Sequence, residues 1–151
     1  MLRIHLNQEN RKTVKNSVLD AIGNTPLIDL TNLSPDPKIR IFGKLESVNP
    51  TGSIKDRVAK NLILEAERQG LLRSSGTILE PTSGNTGLGL AMIAKLRGYK
   101  MIAVMPESVS SERVELLRGF GAKIIFSDAE KGTNESIIRA KQIANENPDY
   151  F

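Results

Sequence analysis

Short apolar runs and amphipathic stretches alternate along this chain from about residue 39 onward. The apolar runs predict strands over residues 39–45, 77–80, 101–105 and 123–126. The stretches between them place apolar side chains at helical spacing, and they predict helices over residues 55–69, 87–97, about 110–119 and 135–146. The run 101–105 is apolar throughout, which is typical of a strand that is buried on both faces.

The last three predicted strands are evenly spaced, as in a repeated strand, crossover helix, strand arrangement. We therefore expect an α/β fold: a three-layer open parallel sheet with helices on both faces, beginning with the strand at 39–45. The first 38 residues differ, because a turn signal at Gly23-Asn24-Thr25-Pro26 precedes only one short apolar run. We divide the chain into an N-terminal arm, residues 1–38, and a small α/β domain, residues 39–151.

The composition excludes several classes of protein. The chain has 151 residues and no cysteine, which rules out a disulfide framework and a thiolate metal site, and we predict no metal site of another kind. The net charge of +4 comes from basic residues interleaved with acids, and aromatic residues make up only 4%, so a solvated surface is favoured over a nucleic-acid site. No apolar run approaches the roughly 20 residues that span a bilayer. Residues 1–12 lack the apolar core of a secretory signal, so we expect a cytoplasmic protein.

Ligands of open parallel sheets bind where strands lead into helices, and the loop over residues 80–89 is unusual at such a place. Three hydroxyls and one amide fall within five positions, at Thr82, Ser83, Asn85 and Thr86. Glycines between them let the backbone turn and present its N–H groups, and the helix that follows has a partial positive charge at its start. The loop predicts a carboxylate or phosphate site. The alternative is a helix cap with turn glycines and no ligand.

A nucleotide loop is a second alternative for the same residues. The loop has no lysine where the Walker form requires one, and Gly84, Gly87 and Gly89 reverse the glycine spacing of dinucleotide-binding loops. Glu107, however, lies about 20 residues further on, where a ribose-binding acid would sit. The glycine spacing disfavours this alternative without removing it.

The loop over residues 46–57 contains a lysine in an unusual position. Ser53 is a good N-cap candidate, which would place Lys55 in the first turn of the next helix. The helix macrodipole there should lower the pKa of the amine, and a partly neutral amine is what imine formation with an aldehyde requires. The alternative is an ordinary solvated lysine. Asp56 and Arg57 are expected to point away from Lys55 into solvent.

These loops and two further motifs resemble the fold-type II pyridoxal-phosphate enzymes. Within that group the chain is most similar to cysteine synthase (O-acetylserine sulfhydrylase) and to cystathionine β-synthase. The resemblance follows nearly the whole chain in unbroken order. It rests on residues 22–27, 49–57, 82–87, 105–107 and 111–113.

The resemblance implies a cofactor, pyridoxal 5'-phosphate, that Lys55 would hold as a Schiff base. Asn85 would donate a hydrogen bond to the cofactor's ring hydroxyl, and Thr82, Ser83, Asn85 and Thr86 would bind the substrate carboxylate. The implied reaction is β-replacement on an O-activated serine such as O-acetylserine, in which Lys55 acts as general base and sulfide attacks to give L-cysteine. A condensation of the cystathionine β-synthase type and a non-catalytic module remain alternatives. A homodimer and a serine acetyltransferase partner are also implied.

Members of that group are about twice as long as this chain. The loop that binds the cofactor phosphate would lie beyond Phe151, and the arm would pack on a large domain that these residues do not contain. We therefore expect this chain alone to be inactive.

Overall fold

The computed structural model describes residues 15–151; residues 1–14, which include the first part of the predicted arm, lie outside it. The strands are β1 (Leu27–Asp29), β2 (Phe42–Lys44), β3 (Thr77–Pro81), β4 (Lys100–Pro106) and β5 (Lys123–Ser127). The α-helices are α1 (Lys55–Arg68), α2 (Asn85–Arg97), α3 (Ser111–Gly119) and α4 (Gly132–Glu146). Short 3-10 turns lie at Val18–Ala21, Thr31–Leu33 and Glu46–Val48.

A parallel sheet of order β3-β4-β5 lies at the centre of the described residues. The central strand β4 is buried from Met101 to Pro106, as the continuous apolar run predicted. On the outer side of β3, the Phe151 N–H donates to the Thr77 carbonyl at 2.9 Å, and the Phe151 carbonyl accepts from the Leu79 N–H at 2.7 Å. The parallel arrangement of the last three predicted strands is confirmed.

Helices cover both faces of this sheet. Successive residues of β4 point to opposite sides, so the two faces of β4 pack against different helices. Met101, Ala103 and Met105 belong to one buried cluster with apolar side chains of α1, α2 and α3. Val104 belongs to a second cluster with Ala140 and Ile143 of α4. The predicted three-layer α/β fold is therefore confirmed.

The strand predicted over residues 39–45 does not belong to the parallel sheet, and that expectation was wrong. Only Phe42–Lys44 is a strand, and it pairs antiparallel with β1 in the register Leu27↔Lys44. Its side chains are half-buried or exposed, so little apolar surface would favour a place in the core. The strand pairs instead with β1, which is close to it in sequence. The division into residues 1–38 and 39–151 stays a prediction, although β1 and β2 are hydrogen-bonded across that boundary.

Helices α1 and α2 lie side by side and run in the same direction. Near their starts, a Cβ added to Gly89 would lie 3.0 Å from the Ala59 Cβ and 3.4 Å from the Lys55 carbonyl oxygen. Near their ends, Arg97 Nε donates to Glu67 at 3.0 Å. Both positively polarised N-termini therefore lie at the end of the molecule where β3 leads into α2. No helix within residues 15–151 is long and apolar enough to cross a membrane.

Candidate active site

Glu46 is the centre of a hydrogen-bonded network in the loop that precedes α1. Arg57 forms a bidentate pair with it, Nε to Oε2 at 2.8 Å and Nη2 to Oε1 at 2.8 Å. The Thr25 hydroxyl donates to Oε1 at 2.5 Å, and the Asn49 amide donates to Oε2 at 2.9 Å. The Arg57 guanidinium, followed by the Thr25 hydroxyl, lowers the pKa of Glu46 to about 2.

The turn at Gly23 fits against the same network. The Gly23 N–H donates to Asn49 Oδ1 at 2.8 Å, and Lys44 Nζ donates to the Thr25 carbonyl at 2.5 Å. Gly23 has φ +87°, a backbone conformation that favours glycine, and a Cβ there would lie 2.8 Å from Arg57 Nη1, so a larger residue would also push against the guanidinium. The turn motif of the arm and the loop before α1, which the sequence shows separately, form one unit in the structure.

Asp56 is fully buried, so the expectation that it points into solvent was wrong. Its carboxylate accepts a hydrogen bond from the Thr51 N–H at 2.7 Å and another from the Thr51 hydroxyl. The corresponding expectation for Arg57 was also wrong, because its guanidinium is paired with Glu46. Both side chains anchor the loop that leads into α1.

Lys55 is the first residue of α1, and its side chain is exposed. Its N–H donates to Ser53 Oγ at 3.1 Å, although the N-cap position itself is Ile54. Within residues 15–151 its Nζ makes no hydrogen bond or ion pair, so the amine is available to a ligand. The predicted place of Lys55 in the first helical turn is confirmed.

Thr82 underlies the loop between β3 and α2. It is buried, and its Oγ1 accepts hydrogen bonds from the Gly87 N–H at 3.1 Å and the Gly84 N–H at 3.4 Å. A Cβ at Gly87 would lie only 2.4 Å from Thr82 Cγ2, so this close contact requires glycine. Thr82 therefore shapes the loop from below.

The loop between β3 and α2 also presents backbone N–H groups that are not bonded to Thr82. Helix α2 begins at Asn85, two residues earlier than predicted, with Gly84 at the N-cap. The N–H groups of Ser83, Asn85 and Thr86 have no acceptor within residues 15–151. Unpaired N–H groups at a helix start are suited to bind an anion.

A cavity of about 310 Å³ brings the two loops together with the start of α3. Thr51 of the first loop lines it with Ser83 and Asn85 of the second, and Arg113 Nη1 donates to the Ser83 carbonyl at 2.8 Å. The full lining is Thr51, Ser83, Gly84, Asn85, Leu88, Glu112, Arg113, Leu116 and Leu117.

The structure therefore brings only some of the predicted site residues to the cavity. Ser83 and Asn85 line it, Thr82 is buried under the loop, Thr86 is half-buried in the first turn of α2, and Lys55 is exposed at the start of α1. Reasoning from the loop patterns missed Thr51 and Arg113 as lining residues. In the sequence, Thr51 and Arg113 were marked only by their place in two of the motifs that resemble the fold-type II pyridoxal-phosphate enzymes.

The model of the family described as "Pyridoxal-phosphate dependent enzyme" matches residues 18–151. The chain belongs to this family. The match favours a pyridoxal-phosphate site over the nucleotide-binding alternative, and pyridoxal phosphate is the family's cofactor.

Individual relatives agree with this assignment. The chain is 46% identical over 140 residues to a probable cysteine synthase of Bacillus subtilis, a match that covers 93% of this chain and 45% of the relative. It is 54% identical over 115 residues to a cystathionine beta-synthase of Apis mellifera, covering 75% of this chain and 23% of the relative. An O-acetyl serine sulfhydrylase isoform of Entamoeba histolytica superposes with a TM-score of 0.87 at 38% identity, covering 99% of this chain and 46% of that structure. The chain thus spans about half the length of the cysteine synthases it matches.

The residues in place fit the family's cofactor. Condensation with an aldehyde needs an accessible primary amine, and Lys55 is exposed and unpaired among residues 15–151. The start of α1 lies beside the start of α2, where backbone N–H groups have no acceptor in the described part of the chain and the Asn85 amide lines a cavity. Among the described residues, no group of His, Cys, Asp or Glu is arranged to hold a metal ion.

Proposed function

We propose that this chain supplies the cofactor lysine and the substrate-carboxylate loop of a pyridoxal-phosphate-dependent β-replacement enzyme. The substrate would be an O-activated serine such as O-acetylserine, which loses acetate and gains the sulfur of sulfide to become L-cysteine. One observation carries the proposal: the exposed amine of Lys55 lies at the same end of two adjacent parallel helices as the N–H groups at the start of α2, which have no acceptor among residues 15–151.

Lys55 has two roles in this proposal. Its Nζ would bind the cofactor covalently, and after release it would accept the proton from the substrate α-carbon. The cofactor, when bound, withdraws electrons from that carbon. Asp56 is hydrogen-bonded to Thr51 and Arg57 to Glu46. Neither neighbour therefore forms an ion pair with the amine or covers it.

The loop between β3 and α2 would bind the substrate carboxylate. The N–H groups of Ser83, Asn85 and Thr86 supply donors without a protein acceptor in the described chain, and the hydroxyls of Ser83 and Thr86 can add to them. The Thr82 hydroxyl oxygen accepts hydrogen bonds from two backbone N–H groups, and its hydrogen has no acceptor among residues 15–151 and can donate. The Asn85 amide would donate to the ring hydroxyl of the cofactor.

A condensation of the cystathionine β-synthase type is the second candidate. It is favoured by the 54% identity to the Apis mellifera relative. The two reactions differ in the sulfur donor, so assays with sulfide and with a thiol amino acid distinguish them. A cytoplasmic location, a homodimer and a serine acetyltransferase partner belong to the same proposal through the resemblance.

The test uses a chimaera in which this chain is joined to the part of the Bacillus subtilis relative that follows its matched region. We expect the folded chimaera to bind pyridoxal phosphate, to absorb visible light and to form cysteine from O-acetyl-L-serine and sulfide. Borohydride reduction should then fix the pyridoxyl group on Lys55, identified by peptide mass. The chain alone should bind the cofactor much more weakly and form no cysteine.

Lys55→Ala should abolish both the visible band and the reduced adduct. The control is Lys141→Ala, which removes an exposed lysine of α4 and should change neither. A Lys55→Ala chimaera that still carries a pyridoxyl group on one specific other lysine would show that Lys55 is not the attachment point.

A further inference from the structure

Arg113 reaches from the first turn of α3 to the loop between β3 and α2. Its Nη1 donates to the Ser83 carbonyl oxygen at 2.8 Å, and a Cβ added to Gly84 would lie 3.9 Å from the same nitrogen. Arg113 is exposed and lines the cavity together with Ser83 and Asn85. It therefore connects two separate elements at the place where the substrate carboxylate would bind.

The hydrogen bond from Arg113 fixes one peptide group of the loop. The carbonyl of the Ser83–Gly84 peptide is bonded to Arg113, whereas the N–H of the same peptide makes only a long bond of 3.4 Å to Thr82 Oγ1. Rotation of a peptide group that precedes glycine meets little steric resistance, because glycine has no Cβ. Arg113 therefore makes the stronger of the two contacts that hold this peptide.

The fixed orientation of this peptide matters for the backbone donors on either side of it. The unpaired N–H groups of Ser83 and Asn85 flank it on either side. If it rotated, the segment that joins the two donors would lose its fixed geometry. Binding of an anion would then have to order this segment, and that ordering opposes binding.

We propose that Arg113 is a positioning residue that holds the Ser83–Gly84 peptide in place and so keeps the loop N–H groups on either side of it preorganised for the anion. The inference rests on the proposed carboxylate-binding role of this loop. Arg113 acts through the Ser83 peptide, and Val114 and Leu117, buried on the same helix, hold α3 in place behind it.

The first experiment uses the chain itself, labelled with ¹⁵N and titrated with acetate. The backbone amides of Ser83, Asn85 and Thr86 should shift with a common apparent Kd. Because the lost hydrogen bond is exposed, Arg113→Ala should weaken acetate binding by about three- to tenfold. Arg118→Ala removes the same charge from the same helix outside the cavity, and it should leave the Kd within about twofold, since an isolated exposed charge contributes little.

Arg113→Lys separates the charge from the hydrogen bond. A lysine keeps the positive charge but cannot reproduce the planar guanidinium fork. If position is what matters, Arg113→Lys should recover little of the lost affinity. Full recovery by lysine would show that charge alone accounts for the effect and would overturn the positioning role.

The second experiment measures steady-state kinetics in the chimaera described above. Arg113→Ala should raise KM for O-acetyl-L-serine and leave kcat and the attachment of pyridoxal phosphate to Lys55 nearly unchanged. An unchanged acetate Kd in Arg113→Ala, with the amide shifts intact, would overturn the inference. If the acetate results hold but no cofactor attaches to Lys55, the inference on Arg113 stands and the proposed function fails.

Discussion

The residues that follow Lys55 explain how a lysine with acidic and basic neighbours keeps a free amine. Asp56 turns inward and is held by Thr51, and Arg57 turns to Glu46. Each neighbouring charge is thus satisfied by a partner in the loop rather than by Lys55. The same contacts fix the first turn of α1, so the backbone that carries the amine is rigidly placed.

Glu46 should make the stability of the chain dependent on pH. Its pKa is about 2 in the folded chain against an ordinary value of 4.5, so the unfolded chain binds more protons between these values. The Glu46 contribution is therefore fully present above about pH 5 and is lost as the pH falls from 4.5 towards 2. Burial raises the pKa of Glu80, which acts in the opposite direction.

Urea unfolding of the chain at several pH values between 7 and 3 measures this effect. We expect Glu46→Gln to be less stable than the parent at pH 7 and to lose less stability on acidification. Glu115→Gln, which replaces an exposed carboxylate of α3, should keep the pH dependence of the parent. Parallel pH profiles for the parent and Glu46→Gln would contradict the assignment.

At the scale of elements, the site depends on how closely α1 and α2 approach. Gly89 faces Ala59 and the buried Asp56, and a Cβ there would lie 3.2 Å from the Asp56 carboxylate. Glycine therefore allows the two helix starts to lie side by side. Because the helices are parallel, the partial positive charges of both N-termini add at one end.

The junction between β3 and α2 is a second close contact, and it yields a test. The Cβ of a Gly87→Ala variant would overlap Thr82 Cγ2 at 2.4 Å, so we expect this variant to be destabilised by about 1–3 kcal/mol in urea unfolding. Adding Thr82→Ser removes the overlapping methyl and keeps the hydroxyl, so it should restore part of that loss.

Gly119→Ala serves as the matched control for the junction. Within residues 15–151, no atom beyond the adjoining residues and the backbone of α3 lies within 4 Å of a Cβ at Gly119, at the end of α3, so that variant should be as stable as the parent or slightly more stable. Equal stabilities of Gly87→Ala and Gly119→Ala would show that the loop yields without cost and that the Thr82 contact does not shape it.

At the scale of the whole molecule, stability should be uneven. Strand β4 lies in the middle of the parallel sheet with helices on both faces, whereas β1 and β2 form an exposed two-stranded ribbon. Local opening costs least where few apolar groups are buried. We expect amides of β4 to exchange hydrogen only on global unfolding and the paired amides of β1 and β2 to exchange much faster.

Native-state hydrogen exchange, measured by NMR at increasing urea concentrations, tests this difference between the β4 amides and the amides of the β1–β2 ribbon. The β4 amides should show the denaturant dependence of global unfolding, and the ribbon amides should show little. Equal protection of both would mean that the ribbon and the parallel sheet unfold as one unit.

The described part of the predicted arm exposes large apolar side chains. Leu27 is 61% exposed and Leu33 75%, and Phe42 on the paired strand is 46% exposed. The expectation that the arm packs on a large domain remains a prediction. Apolar surface of this kind is what such packing would bury.

The amino-acid sequence by itself determined the fold class and the positions of the candidate site loops. Periodicity is a local property, so β3, β4, β5 and the helices between them could be predicted within a few residues. Helix starts and turns depend on short-range chemistry. The sequence therefore also predicted the loop from Thr82 to Gly87 and the place of Lys55 in the first turn of a helix.

Only the tertiary structure decided the pairing of β2 and which polar groups meet. Residues 39–45 alternate as a strand does anywhere, and pairing with β1 rather than with the parallel sheet depends on contacts between distant segments. The inward turn of Asp56, the Glu46 network and the reach of Arg113 to Ser83 likewise join residues from separate elements. Side-chain direction at such places is set by packing and by the partner available in space, and neither is encoded in local periodicity.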